Sequence, residues 1–322
     1  MEKRRITWVC LFLANSLGGY GRIVDINLEK LAEICTRYEK YFNSIMMEYT
    51  YTAPEPSEEH LEDWKRGELL LFTGPQTILF TAEKPFDKKF RFIQALRYDT
   101  LQGLKDVYGC RTYNGRVFRE YYIEDPNRPP RGTLQKEPHE DPMTMINNTP
   151  LGYTIFHRCD FSLSVLDLLN LYRKNHDPNL LFSLDPAVTK VNGFDAIELS
   201  CSVKWPTGKM QKMFGMYFSL EHNYAAVRIT YYNGDKAILE YNVMKLTPIG
   251  DEFWFPIECT VLYSDGTSSR ITVTDVRVNQ PIEEQEYELE FPPGTKVNDT
   301  ITGKQYTIKP TQEQIDQALY RK

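Results

Sequence analysis

The sequence predicts a mainly β chain with a few helices (α+β), built as a curved antiparallel sheet or incomplete β-barrel covered by an N-terminal helix and a mid-chain helix. Three observations predict it. Aromatic residues are abundant, with 21 Tyr, 17 Phe and 4 Trp, and aromatic side chains favour pleated, half-buried surfaces. Most of the chain beyond the first fifty residues alternates apolar and polar with a period of two. Asn-Gly, Asp-Gly and other glycine turns separate the alternating runs, which is the chemistry of hairpins. Helical patterns do not alternate with the strands, which excludes a doubly wound parallel sheet or an α/β barrel as the first choice.

The chain has 322 residues, 38 Lys+Arg and 44 Asp+Glu, for a formal net charge of −6. With 41% apolar and 25% charged residues the composition is globular and excludes a wholly disordered chain. The acidic balance argues against a nucleic-acid partner, which calls for a basic stripe. No apolar run approaches the roughly 18–20 residues of a membrane-spanning helix.

The opening residues Lys3, Arg4 and Arg5 precede an apolar run from Ile6 to Ala14 and the small residues of Ala14-Asn15-Ser16. Basic, then apolar, then small is the order of a secretory signal peptide, assigned to residues 1–16 and implying an exported protein of the periplasm or cell envelope, with no transmembrane span once it is removed. The other reading is a buried first strand or helix of a cytosolic protein. Cys10 lacks the preceding small pair of a lipidation site, since Thr7, Trp8 and Val9 stand there. Cys35, Cys110, Cys159, Cys201 and Cys259 follow without any C-x-x-C, so they read as small buried hydrophobes.

From Ile26 to about Thr50, Leu28, Leu31, Ile34, Cys35, Tyr38, Tyr41, Phe42, Ile45 and Met46 recur at three- and four-residue steps, which predicts an amphipathic helix capped by Asp25. Ser162–Lys174 predicts the mid-chain helix, and residues 311–322 a short polar closing helix or tail. Turns are expected at Gly74-Pro75, Asn114-Gly115, Pro206-Thr-Gly208, Asn233-Gly234, Asp265-Gly266 and Thr302-Gly303. The acidic, proline-bearing stretches Thr52–Lys65 and Glu124–Pro150 read as exposed loops. No repeat or linker divides the remainder, so residues 22–310 are expected to form one β domain.

Splitting each strand into its two faces locates the candidate ligand-binding residues. Phe214, Met216 and Phe218 share a face, as do Val227, Ile229 and Tyr231, then Leu239, Tyr241 and Val243, with Ile257, Cys259, Val261 and Tyr263 on the following strand. Four successive strands thus share one apolar face that something must cover. Periodicity does not distinguish a filled core from a lined cavity.

Catalytic and metal motifs are not found. The chain carries no H-E-x-x-H, G-x-S-x-G, G-x-x-x-x-G-K-[ST] or G-x-G-x-x-G, and His60, His139, His157, His176 and His222 are not at ligand spacing on one element. His139-Glu140-Asp141 reads as a solvated acidic loop, and Asn147-Asn148-Thr149 fits the N-glycosylation triplet. The basic and aromatic stretch Lys84–Arg97 alternates, with Phe90 and Phe92 on one face and Lys89 and Arg91 on the other. No cofactor is implied.

The order of elements resembles the bacterial periplasmic lipoprotein carriers of the LolA type and their uncharacterised exported lipoprotein-sorting-like relatives. A leader is followed by a helix that runs through Tyr41-Phe-Asn-Ser-Ile-Met-Met-Glu-Tyr-Thr-Tyr51 into a strand. A Phe90-Arg-Phe92 strand precedes the hairpin Tyr113-Asn-Gly-Arg116, Gly250-Asp-Glu-Phe-Trp-Phe-Pro256 opens a late strand, and Phe291 to Ile308 resembles the closing segment of the exported group. The resemblance covers roughly Asp25 to Ile308. It implies helices as a lid over an apolar cavity for lipoprotein acyl chains, and no chemical catalysis. The carriers' lid-locking arginine maps equally well to Arg91, Arg97 or Arg116.

The expectation is a non-enzymatic exported binding protein that carries or senses a lipid, acyl or other hydrophobic ligand, with an envelope protein as a further partner. Two alternatives stand beside it: an envelope interaction module with a filled core, and an exported β-rich hydrolase acting on glycans.

Overall fold

The computed structural model describes residues 24–54, 61–62, 65–66, 71–72, 75–84, 89–100, 103–123, 128–138, 179–312 and 314. The expected leader, the Ser162–Lys174 helix, Cys159 and the His139-Glu140-Asp141 cluster lie outside those residues, as does most of the closing helix.

Helix α1 (Leu28–Tyr41) leads directly into β1 (Ser44–Thr52). Then come β2 (Leu71–Phe72), β3 (Pro75–Glu83), β4 (Lys89–Thr100), β5 (Gly103–Tyr113), β6 (Phe118–Ile123) and β7 (Arg131–Gln135). The second run is β8 (Leu180–Val191), β9 (Phe194–Lys204), β10 (Met210–Ser219), β11 (Ala226–Asn233), β12 (Lys236–Ile249), β13 (Phe253–Tyr263) and β14 (Ser268–Val278), closed by β15 (Lys296–Asp299) and β16 (Lys304–Thr307). Among the described residues all sixteen strands join one sheet, in the order β16-β15-β7-β6-β5-β4-β3-β1-β14-β13-β12-β11-β10-β9-β8, with β2 beside β4. The sheet is open, with β16 and β8 at its edges, and does not close into a barrel. β1 joins two meanders, pairing antiparallel with β3 on one side and β14 on the other.

The expected helix over Ile26–Thr50 is therefore too long, and its cap is misplaced. The helix stops at Tyr41, and its cap is Asn27, whose Oδ1 accepts the Lys30 N–H at 2.9 Å, not Asp25. Past Phe42 the period changes. Ile45, Met47 and Tyr49 are buried in alternation, and a strand in that position gains hydrogen-bonded neighbours on both edges. Tyr41, Phe42, Ile45 and Met46 fit helical steps as well, which is how the sequence pattern overruns the boundary.

One face of the sheet carries α1 and is here called the inner face. Ile34, Tyr38 and Phe42 pack with Met47, Phe80, Phe90, Phe92, Phe118, Val227, Val243, Phe255 and Cys259, drawn from both meanders. Leu31, Ala32 and Cys35 pack with Phe182, Leu199, Phe214, Met216 and Ile229 of the second meander alone. The β10–β11 loop and the start of β13 clasp the helix end. Tyr38 Oη donates to the His222 carbonyl at 3.2 Å, and the Tyr41 ring stacks on Phe253 with centroids 4.1 Å apart.

Bulges bend the second meander. Met213, Ile238 and Met244 are the extra residues where the β9–β10, β11–β12 and β12–β13 registers shift. Being extra, they escape the alternation, and all three are exposed. The curl brings the β8–β9 tip back onto β12. Asn192 Nδ2 donates to Asn242 Oδ1 at 3.0 Å and to the Val243 carbonyl at 3.1 Å, although β10 and β11 lie between in the sheet.

The outer face of the first meander is covered by residues 283–294. Tyr287 of the single turn Glu284–Tyr287 is fully buried, and Phe291 lies against Gly132. Three acids of this strap meet three bases of the sheet: Glu284 pairs with Lys89, Glu286 with Arg91 at 2.5 Å, and Glu288 with Arg119 at 2.8 Å. The alternation read from Phe90 and Phe92 against Lys89 and Arg91 thus separates the helix side from the strap side.

Most of the expected turns connect strands, with two adjustments. Between β11 and β12 Asn233 pairs with Lys236, so the turn residues are Gly234 and Asp235, one step later than expected. Leu71–Phe72, before Gly74-Pro75, pairs with β4 rather than with the strand that follows it.

Candidate ligand-binding face

The nine residues expected to contact ligand come together on the inner face. Register places them in two rows running across the strands. Phe182, Cys201, Phe214, Tyr231, Leu239 and Tyr263 form one row, and Leu184, Leu199, Met216, Ile229, Tyr241 and Val261 the next. Each row crosses six strands, a span of about 24 Å at a strand spacing of about 4.8 Å. Phe218 continues the face toward the helix. Val227, the extra residue of a bulge, and Val243 belong to the cluster that the helix end closes.

Burial divides these residues. Phe214, Met216, Phe218, Val227, Ile229, Tyr241 and Val243 are buried, whereas Tyr231 and Leu239 are only partly so, like Leu184 and Tyr263 in the same rows. The part of the face with surface left to offer is therefore the fringe Tyr231, Leu239 and Tyr263 of the first row, with Leu184 apart from it on the edge strand β8.

Beyond Tyr263 the same fringe turns polar. Tyr263 Oη lies 3.4 Å from Ser269 Oγ, and Ser269 is almost completely buried. Tyr51 hydrogen-bonds within the same cluster; burial first, and the Tyr263 hydroxyl second, push its phenol up to about 12. On β3 the next residue of the fringe is the buried Gln76, whose Oε1 accepts from Gln94 Nε2 at 3.4 Å.

Gln94 opens onto a cleft of about 370 Å³, lined by Phe92, Gln94, Gly109, Arg111, Glu120 and Tyr122 among others. The register explains the grouping. Phe92, Arg111 and Glu120 stand opposite one another across β4, β5 and β6, and Gln94, Gly109 and Tyr122 form the row beside them. Phe92 belongs to the core under α1, so this cleft lies on the inner face too. Arg111 Nε donates to Glu120 Oε1 at 2.7 Å, and both side chains are partly exposed. A β-carbon placed on Gly109 would meet nothing within 4 Å, so the missing side chain is part of the opening. The alternation pattern did not single out these residues. A glycine inside the run Tyr108-Gly109-Cys110-Arg111 was the available signal.

A second groove of about 540 Å³ is lined by Lys30, Ile34, Arg37 and Tyr224 among others. His222 sits between the Phe194 and Trp254 rings with Nδ1 2.8 Å from Ser219 Oγ, and burial lowers its pKa. Cys35, Cys110, Cys201 and Cys259 are buried free thiols whose pKa burial raises, to about 12 for Cys201.

Two acidic side chains of the second meander, Glu258 and Asp275, are tied into ion pairs: Glu258 with Arg270 at 3.4 Å, and Asp275 with Arg277 at 2.9 Å. Among the described residues no group of three His, Cys, Asp or Glu could hold a metal ion, and no helix is long and apolar enough to cross a membrane.

No family model and no curated protein matches this chain. Solved structures do. An outer membrane lipoprotein-sorting protein domain from Vibrio parahaemolyticus aligns over 81% of this chain and 97% of its own, with 10% identity and a TM-score of 0.43. A LolA superfamily protein from Nitrosomonas europaea covers 82% and 98% at 7% identity and TM-score 0.37. A DUF1329 family protein from Desulfovibrio piger covers 81% and 97% at 12% identity and TM-score 0.36. All three scores are low, so ligand and role have to come from this chain's own residues.

Proposed function

We propose that this chain is a non-enzymatic, exported binding protein that holds the acyl part of a lipid, or another hydrophobic ligand, on the inner face of its second meander. The observation that carries this reading is the half-buried fringe Tyr231, Leu239 and Tyr263 on three adjacent strands, continuous with two apolar rows that cross six strands. The one described helix has 14 residues, about 21 Å of length, for a sheet whose inner face extends across both meanders. Each methylene moved from water onto such a face contributes about 0.8 kcal/mol, so a modest length of acyl chain gives useful affinity. The basic, apolar and small-residue opening of the sequence supports export to the periplasm or envelope, and residues 22–310 are taken as one folded unit.

The second reading, an envelope interaction module with a filled core, draws on the closure of Met216, Phe218, Ile229 and Val243. The two readings part over the fringe. Protein purified from a bacterial host without detergent and extracted with chloroform–methanol is expected to release lipid in near-stoichiometric amount. Leu239→Asp, at a partly exposed position, is expected to abolish that while the chain still folds. Wild-type protein that releases no lipid, and takes up none from vesicles, contradicts the proposal in favour of the filled core.

A further inference from the structure

We infer that the β10–β11 loop, residues 220–225, is a proton-operated latch on α1: when His222 takes up a proton its ring leaves the space between Phe194 and Trp254, and the end of the helix is freed from the sheet. The latch goes beyond the proposed binding function and does not depend on it.

His222 is where three parts of the fold meet. Its ring stands edge to face between Phe194 of β9 and Trp254 of β13, with centroids 5.2 and 4.4 Å away. Its Nδ1 lies 2.8 Å from Oγ of the fully buried Ser219. Its carbonyl accepts the Tyr38 hydroxyl of α1 at 3.2 Å and the Ala225 N–H at 3.0 Å. Tyr38 is almost completely buried and belongs with Phe42 to the cluster that the helix end closes. One residue thus has its side chain seated among aromatic rings and its backbone holding the helix.

The loop is also strained. Asn223 and Tyr224, with φ 49 and 59, are consecutive non-glycine residues in the left-handed region, a conformation that persists only where its surroundings impose it. Three hydrogen bonds impose it here. Tyr224 N–H donates to the Ser219 carbonyl at 2.8 Å, Ala225 N–H to the His222 carbonyl, and Asn223 Nδ2 to the Glu252 carbonyl at 2.9 Å. Two of the three end on His222 or on its partner Ser219, so unseating the ring lets the loop relax.

A proton acts on this seat directly. The neutral ring can bond Ser219 Oγ in either direction, whereas the charged ring can only donate there and carries its charge into apolar surroundings. Burial lowers the pKa of His222, opposed by the Glu221 carboxylate on the same loop. From α1 comes the Tyr38 phenol, which burial pushes well above its ordinary value, so it stays a donor. Arg37 of α1 pairs with Glu252 of the β12–β13 turn at 3.3 Å, and Asp195 of β9 with Lys190 of β8 at 2.6 Å. The closed latch therefore favours the neutral ring, and acid opens it.

The test is hydrogen–deuterium exchange of the full chain at pH 7.5 and at one unit below the His222 midpoint read by NMR, with rates corrected for the intrinsic pH dependence of amide exchange. Protection of the α1 peptides is expected to fall about three- to tenfold at the lower pH, the proton's preference for the open loop setting the limit, while β1 changes less. His222→Asn, which keeps a polar partner for Ser219, is expected to remove that fall. Tyr38→Phe, which keeps the buried ring and deletes the hydroxyl, is expected to lower α1 protection already at pH 7.5 and to blunt the response to acid. Equal α1 protection at the two pH values, or a fall of the same size in His222→Asn, overturns the latch. A fall shared equally by α1 and β1 overturns it as well, since it would report global loss of stability.

Discussion

The hydroxyl oxygen of Tyr41 lies 2.6 Å from where a β-carbon on Gly250 would stand, so the helix end and the β12–β13 turn fit together at a residue without a side chain. Around this contact Tyr41 stacks on Phe253, and Arg37 reaches Glu252 at 3.3 Å. Gly250 also has φ +64, in the left-handed region. Gly250→Ala should therefore meet both strain and a clash, and cost about 1–3 kcal/mol in urea unfolding. Gly266→Ala has a similar φ of +88 but open space around it, and should lose about 1 kcal/mol. Equal losses at the two sites would mean that the Tyr41 contact contributes nothing.

On the outer face the strap is held by its buried ring more than by its ion pairs. Tyr287 is fully buried, whereas Glu284, Glu286 and Glu288 are exposed. Truncation of a buried aromatic costs about 3–5 kcal/mol, and an exposed pair is worth about 0–1 kcal/mol. Tyr287→Ala should destabilise the protein far more than Glu286→Ala, and should expose the strap to limited proteolysis. If Glu286→Ala matched it, electrostatics would hold the strap.

Stability should fall in mild acid through His222. Burial between Phe194 and Trp254 lowers its pKa from the ordinary 6.5, so the folded state favours the neutral ring. The unfolded chain then binds the proton more readily, and the contribution, complete above the unfolded value, is lost as pH drops through the folded one. Wild-type stability relative to His222→Asn should shrink as pH falls below about 6.5, and the imidazole should titrate below that value by NMR. A His222 resonance titrating above it would contradict the assigned environment.

The thiols should be silent in the folded protein. Cys35 and Cys259 are fully buried, and burial raises the pKa of both as well as that of Cys201 and Cys110. A maleimide pulse at pH 8 followed by peptide mapping should leave these four unlabelled until denaturant is added. Rapid native labelling of Cys35 would mean that α1 lifts from the sheet.

The parts legible in the sequence were those that a local pattern determines. Alternation separated Phe90 and Phe92 from Lys89 and Arg91, and it collected Phe214, Ile229 and Tyr241 on the face where they lie. The Asn192-Gly193 turn between β8 and β9 carries the same Asn-Gly signal as the turns expected from the sequence but is not among them; Asn192 holds the left-handed conformation with φ 52. The helical pattern runs past the end of α1 because Tyr41, Phe42, Ile45 and Met46 satisfy both periods, and only pairing with β3 and β14 decides between them. The cleft was illegible for a different reason. Arg111 and Glu120 meet through the β5–β6 register, and Gln94 joins them from a third strand, so strand pairing assembles the group. The strap depends likewise on a chain reversal that places Glu284 beside Lys89, 195 residues away.

The most direct test of the account is where a ligand tail lies. Full-length protein loaded with a fatty acid carrying a terminal diazirine, irradiated and digested, should show cross-links in the peptides that hold Tyr231, Leu239 and Tyr263, and competition by unlabelled fatty acid should remove them. Labelling confined to the exposed bulge residues Met213, Ile238 and Met244, or labelling that competitor does not reduce, would contradict a binding site on the inner face.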